Sequence, residues 1–251
     1  MSQENQTTQE MRPVAIVTGG SRGIGAACCL ALAQEGFRIG LSYRSNDMEA
    51  EKILSRCGED GFLLKADLTD VGQVEEMVKT IKSRAGRVDV LVNNAGASIN
   101  GTIFTMSIDE FDRQRAIMRG VWYLVKRVLR TMMFRQEAGK IINISSVTGH
   151  TGNPGQIPYT MEKSAMDAMT KSLAKELSGK NIQVNSIAPG FIDTEMTQIL
   201  PDEIKNRILQ TIPAGRMGRP EEVAEAAVFL ATKGSYINGT VLHVNGGMYG
   251  G

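Results

Sequence analysis

Short apolar runs alternate with stretches in which apolar residues recur every three or four positions along nearly the whole chain. The short runs, Val14–Thr18, Arg38–Tyr43, Gly61–Ala66, Val88–Val92, Lys140–Ser145, Ile182–Ile187 and Thr240–Val244, predict strands, and several lack the polar alternation of a half-exposed sheet. The amphipathic stretches at about 23–35, 47–57, 71–85, 107–136, 158–178 and 220–232 predict helices. Local punctuation agrees: Ser107 stands ahead of Asp109 and Glu110 as an N-cap would, and Pro220 opens the last helix before Glu221 and Glu222. Strands separated by helices become parallel neighbours joined by right-handed crossovers, so the expected fold class is α/β, a doubly wound parallel sheet of about seven strands with helices on both faces. The rhythm fails between Pro189 and Pro213, where glycine and prolines bracket short helical pieces. Residues at about 190–213 suit a lid over a site better than a core crossover.

Composition narrows the class. A chain of 251 residues, 42% hydrophobic and 22% charged with 27 Gly and 7 Pro, is neither disordered nor fibrous, and one domain over 12–251 accounts for its length. Lys plus Arg number 28 against 27 Asp plus Glu, so no global field draws the chain to nucleic acid or an anionic membrane. Three cysteines, two of them the adjacent Cys28 and Cys29, read as reduced core thiols of a cytoplasmic protein. Residues 1–11 are polar and read as a frayed tail. No run approaches the ~18 apolar residues of a membrane span, so neither a secretion signal nor an anchor is expected.

The first strand feeds Gly19-Gly20-Ser21-Arg22-Gly23-Ile24-Gly25 and then an alanine-rich helix. Glycines there permit a sharp turn, let a pyrophosphate approach the backbone, and leave helix N–H groups aimed at it. The spacing is Gly-x-x-x-Gly-x-Gly, and its place between first strand and helix marks a Rossmann-type dinucleotide site. An acid at the end of the second strand would select NAD by bonding the adenosine ribose. This chain instead reads Tyr43-Arg44-Ser45, and Arg44 with Arg22 would pair with a 2′-phosphate, favouring NADP (NADPH).

Tyr159 and Lys163 stand four apart at a helix start, so both project from one face. A free phenol ionises near pH 10, and an adjacent ammonium would stabilise its phenolate. Ser146 follows the strand Lys140–Ser145, at the carboxyl end where such sheets place their sites, and its hydroxyl would hold a substrate carbonyl.

With Thr18–Gly25, Asn93-Asn94-Ala95-Gly96, Ser146, Tyr159, Lys163 and Pro189-Gly190 in one chain, the sequence resembles the short-chain dehydrogenase/reductase family from Arg12 to Tyr249. Within that family it is most similar to bacterial 3-oxoacyl-(acyl-carrier-protein) reductases, through Gly152–Gln156, Ala188–Thr197 and His243–Tyr249. The resemblance implies catalytic roles for Ser146, Tyr159 and Lys163. It implies that Gly19, Ser21, Arg22, Gly23, Ile24 and Gly25 cradle the pyrophosphate, with Arg44 and Ser45 at the adenosine phosphate and Asp67 and Leu68 flanking adenine. Asn93, Ala95 and Gly96 would line the cofactor, and Pro189, Gly190, Ile192 and Thr194 would hold the carboxamide. The implied activity is NADPH-dependent reduction of a 3-oxoacyl thioester, on acyl carrier protein, in fatty-acid or related acyl-chain synthesis, by a homotetramer.

One feature departs from the family. An asparagine normally follows in the next helix, within a Phe-Asp…Asn-Leu/Met-x-Gly stretch. Here Phe111–Gly120 is one residue short and has none: counting from Phe111 lands on Met118, and counting back from Gly120 lands on Ile117. A one-residue deletion turns the rest of a regular helix by about 100°, so a bulge, kink or unwinding is expected. The open alternatives are reduction of another ketone, a polyketide-type intermediate or a coenzyme A ester, and a weakened cofactor-binding subunit. His150 and His243 lack ligand-spaced companions, so no metal is expected. The methionines, Met132 and Met133 among them, read mostly as core. Lys126, Arg127, Arg130, Arg135, Lys171, Lys175 and Lys180 read as a solvated face or a docking surface for an acidic carrier, and Trp122, Tyr123 and Leu124 as candidates for subunit pairing.

Overall fold

The computed structural model describes residues 12–131, 136–198 and 201–250; the tail 1–11, Met132, Met133 and Arg135 lie outside them. The strands are β1 (Val14–Val17), β2 (Arg38–Tyr43), β3 (Phe62–Lys65), β4 (Val90–Asn93), β5 (Ala138–Ile144), β6 (Asn181–Pro189) and β7 (Val241–Val244). The helices are α1 (Gly23–Gln34), α2 (Asp47–Ser55), α3 (Val71–Arg84), α4 (Ile108–Thr131), α5 (Thr148–Thr151), α6 (Ile157–Glu176), α7 (Glu195–Gln198), α8 (Asp202–Leu209) and α9 (Pro220–Thr232). All strands are parallel in the order β3-β2-β1-β4-β5-β6-β7. The order reverses between β1 and β4, and the diverging crossovers open a crevice there, at the carboxyl ends of the strands.

β1, Val-Ala-Ile-Val, shows why apolar runs without alternation suit this sheet. Ala15 and Val17 face a layer with Leu32 of α1, Ile53 of α2 and Leu230 of α9, while Val14 and Ile16 face Val74 of α3, Leu124 of α4 and Met166 of α6. Both faces are thus covered, and both residue sets must be apolar. Capping fixes the helix starts: Asp70 accepts N–H bonds from Gly72 and Gln73 at α3, and Ser107 and Glu110 form a reciprocal box at α4. Among the described residues no helix is long and apolar enough to cross a membrane.

Three expectations change. β5 begins at Ala138, two residues before the apolar run, because Ala138 and Gly139 extend the ladder against Asn181 and Ile182. α4 runs uninterrupted from Ile108 to Thr131, with Gln114, Val121, Leu124, Val125 and Val128 buried at helical spacing, so the shortened stretch carries no bulge or unwinding, and the amide of Gln114 is among the groups it buries. Leu124 is fully buried within the chain and so cannot pair subunits, the half-buried Tyr123 donates its hydroxyl to Glu75 of α3 at 2.9 Å, and Trp122 is exposed. The seat of α4 depends on Gly120, where a Cβ would lie 1.8 Å from the Leu68 carbonyl oxygen.

Candidate functional site

The crevice floor is built by one buried hydroxyl. Thr18, just after β1, accepts the N–H groups of Asn94 (3.0 Å) and Ala95 (2.9 Å), and the Asn94 amide donates to the carbonyls of Thr18 (3.0 Å) and Gly19 (3.2 Å). The turn above it runs through Gly19 at φ +65° to Gly23, where α1 starts with no side-chain cap. A Cβ on Gly25 would stand 2.1 Å from the Gly19 oxygen, so only glycine fits. Uncapped helix N–H groups beside bare backbone match the donors a pyrophosphate needs, and half-buried Ser21 and Ile24 flank them.

Beyond the end of β2, Arg44 reaches within 4.0 Å of Asp67, whose other oxygen accepts from the Thr69 N–H and hydroxyl, while Leu68 is buried and Ser45 exposed. Arg22 pairs with Glu195 of α7 at 3.1 Å. Both arginine pairs involve largely exposed guanidinium groups and are weak, so a phosphate can compete for either arginine.

At the other end, β5 delivers Ser146, whose Oγ accepts from the Thr148 N–H (3.2 Å) and hydroxyl (3.0 Å). Pro158 in the first turn of α6 sets Tyr159 at the helix start. Lys163 is 3% exposed; its Nζ donates to the Ile144 carbonyl at 2.9 Å and lies 5.5 Å from the Tyr159 ring centroid. Among the described residues the Tyr159 hydroxyl has no hydrogen-bond partner. The ammonium would be 3.4 Å from a Cβ on Gly96, so this glycine forms the wall beside it.

Of the residues expected to line the cofactor, Asn93 is fully buried, and its side chain donates to Asn143 at 2.8 Å, while Asn143 donates to Thr170 of α6. The Asn93 amide thus ties β4 to β5, and the Asn143 amide ties β5 to the site helix. Pro189 ends β6 and Gly190 follows it, Ile192 is buried in a bridge to Gly218, and the Thr194 methyl lies 3.4 Å from a Cβ on Gly23, so the base of the 190–213 segment abuts the glycine turn. α7 and α8 are its short helical pieces.

Several residues escaped the sequence reading. Gln114, fully buried, donates to Ala97 O at 2.9 Å and to the Glu162 carboxylate, and accepts from Ile99 N–H at 2.9 Å. Burial pushes the Glu162 carboxyl above the usual range against the opposing pull of Lys163. The two histidines, isolated in sequence, meet with ring centroids 4.8 Å apart; His150 Nε2 lies 2.9 Å from buried Asp167, and burial, with His150 beside it, holds His243 below the ordinary imidazole range.

A reversed strand order over a glycine-walled helix start, with a phenol and a buried ammonium in the same crevice, defines an oxidoreductase that uses a nicotinamide nucleotide. A family model described as enoyl-(acyl carrier protein) reductase matches residues 19–249. The chain is 40% identical over 245 residues to 3-oxoacyl-(acyl-carrier-protein) reductase FabG of Staphylococcus aureus (strain Mu50 / ATCC 700699), covering 96% of this chain and 99% of that protein. It is 44% identical over 239 residues to the FabG of Haemophilus influenzae (94% and 98% covered), and 42% identical over 238 residues to that of Vibrio harveyi (94% and 97%). The chain belongs to the short-chain dehydrogenase/reductase family.

Proposed function

We propose that this protein reduces a 3-oxoacyl thioester, carried on acyl carrier protein, to the 3-hydroxyacyl thioester with NADPH, in fatty-acid or related acyl-chain synthesis. The observation that carries the reading is the Tyr159 hydroxyl, unpartnered among the described residues, one helical turn from the buried Lys163, at the crevice that also receives Ser146. Bound reduced nicotinamide would supply the hydride for C3. Because Ser146 Oγ already accepts two bonds from Thr148, its own proton is left to donate to the substrate carbonyl, orienting it and drawing charge onto its oxygen. Tyr159 then gives its proton to the forming alkoxide, and Lys163 stabilises the phenolate left behind; a positioned acid of this kind contributes about 10²–10⁴-fold. Gly19–Gly25 would hold the pyrophosphate. Arg44 and Arg22 support NADPH over NADH, with Ser45, Asp67 and Leu68 about the adenosine, and the 190–213 segment with Pro189, Gly190, Ile192 and Thr194 would cover the nicotinamide end.

The similarity to proteins named for acyl carrier protein supports the thioester partner, and exposed Lys126, Arg130, Lys171, Lys175 and Lys180 give an acidic carrier a basic surface. Arg127 is withdrawn from that set, since it pairs with Glu75. Trp122 and Met161 stand exposed on an apolar groove between α4 and α6, which supports subunit pairing in a homotetramer. Three buried free cysteines support a reducing, cytoplasmic setting.

The test is NADPH oxidation with an acetoacetyl thioester, with a crotonyl thioester in parallel because the family model is described as an enoyl reductase. Keto reduction lost in Tyr159→Phe supports the proposal, and turnover of the crotonyl substrate alone replaces it. The absent family asparagine favours a second reading, a cofactor-binding subunit. Tight NADPH binding without turnover on either substrate is the result that establishes it.

A further inference from the structure

We infer that Gln114 and Glu162 act as one buried positioning unit that sets the Gly96–Ile99 backbone against Lys163. This rests on the proposed reading of Tyr159 and Lys163 as the reacting pair. Gln114 lies one helical turn before Met118, on the same face of the helix that lacks the family asparagine. Both protons of its amide are used, one given to Ala97 O and one to Glu162, and the carbonyl oxygen takes the Ile99 N–H. The segment it grips, directly after β4, has no regular structure, so these side-chain bonds stand in for ladder bonds. Gly96 of that segment is the wall beside the Lys163 ammonium.

Glu162 closes the other side. It is 5% exposed, adjacent to Lys163 and three residues from Tyr159 on α6, so its bond to Gln114 ties the site helix to α4 and to the wall at once. An apolar pair would fill the α4–α6 seam without the desolvation cost of a buried carboxylate, but it would leave Ala97 O and Ile99 N–H without these partners. The pair therefore serves position rather than packing: a shift of about 1 Å in a wall beside reacting groups is enough to cost about 10²-fold in rate.

The experiment uses the full chain with Gln114→Ala, Glu162→Ala and the double variant; Gln114→Met, of similar length without the amide, serves if the alanine variant does not fold. Hydrogen exchange on the cofactor-free protein should show the Ile99 amide exchanging about tenfold faster or more in the Gln114 variant, with Val90–Asn93 unchanged. With NADPH and acetoacetyl coenzyme A, kcat should fall about tenfold or more in each single variant and no further in the double, because the two act as a unit. The Kd for NADPH, held mainly at the distant phosphate turn, should move by less than about threefold. An Ile99 amide as protected as in the wild type, losses that multiply in the double variant, or an unchanged kcat per folded molecule overturns the inference. Tyr159→Phe runs alongside: turnover retained there refutes the site reading, and the exchange result still decides the pair.

Discussion

Replacing Gly25 by alanine probes the cradle that the proposed function needs. The new methyl would lie 2.1 Å from the Gly19 carbonyl oxygen and 2.5 Å from Asn94 Nδ2, against an ordinary contact of about 3.5 Å, so the turn and α1 must part by about 1 Å. Neither obstacle yields readily, since one is backbone and the other is an amide bonded to Thr18 and Gly19. Overpacking of this kind costs about 1–3 kcal/mol. The cofactor-free protein can relax by opening the turn, but the pyrophosphate needs the closed turn, so the same energy is lost from binding and NADPH should bind about 5-fold to 150-fold more weakly. Fluorescence titration of NADPH reads this directly. Gly36→Ala is the control: its φ of +87° strains any side chain, but nothing lies within 4 Å and the site is remote, so it should lose stability and keep its affinity. Wild-type affinity in Gly25→Ala would refute the placement of the pyrophosphate at this turn.

Arg44→Glu should shift the ratio of kcat/KM for NADPH over NADH down by about tenfold or more, since a carboxylate would repel the 2′-phosphate; steady-state kinetics with both cofactors check it, and an unchanged ratio removes Arg44 from the phosphate site. Glu162→Gln should stabilise the fold at neutral pH. Burial raises the folded carboxyl above its unfolded value, so wild-type stability is lost as pH climbs from the ordinary carboxylate range through the folded value, and thermal midpoints of the two proteins should converge in acid; a gap that widens in acid contradicts this. Burial pushes Cys28 up to about 12 and Cys57 up to about 11, with Cys29 also well raised, so a thiol reagent at mildly alkaline pH should label none of the three cysteines until denaturant is added. Rapid labelling of folded protein would show these thiols to be open.

The sheet was legible because strands buried on both faces leave an unbroken apolar signature, as Val14–Val17 does, and the phosphate turn because its glycines are demanded by backbone geometry. Tyr159, Lys163 and Ser146 could be marked from chemistry and resemblance, yet their local environment could not. Ala138 and Gly139 carry too little hydrophobic signal to announce a strand. Gln114 and Glu162 sit where periodicity expects solvent or an apolar side chain, and a buried amide reads like a surface one until its partners are known. Nothing in the Asn93–Gly96 motif announces that the Asn93 amide bonds inward to Asn143. His150, Asp167 and His243 meet only because α5, α6 and β7 converge, a juxtaposition no spacing rule encodes.

Thr18 has a consequence for how such a protein can diversify. Its single hydroxyl joins the two strands at which the sheet changes direction, so crevice width is a property of the scaffold itself and cannot be retuned without loosening the whole architecture. Valine there would strand two amide protons in a half-buried seam, leaving serine as the nearest tolerated neighbour. On the proposed reading, a new substrate preference is expected to arise outside this seam, in the stretch after Pro189, while the nucleotide half stays constant.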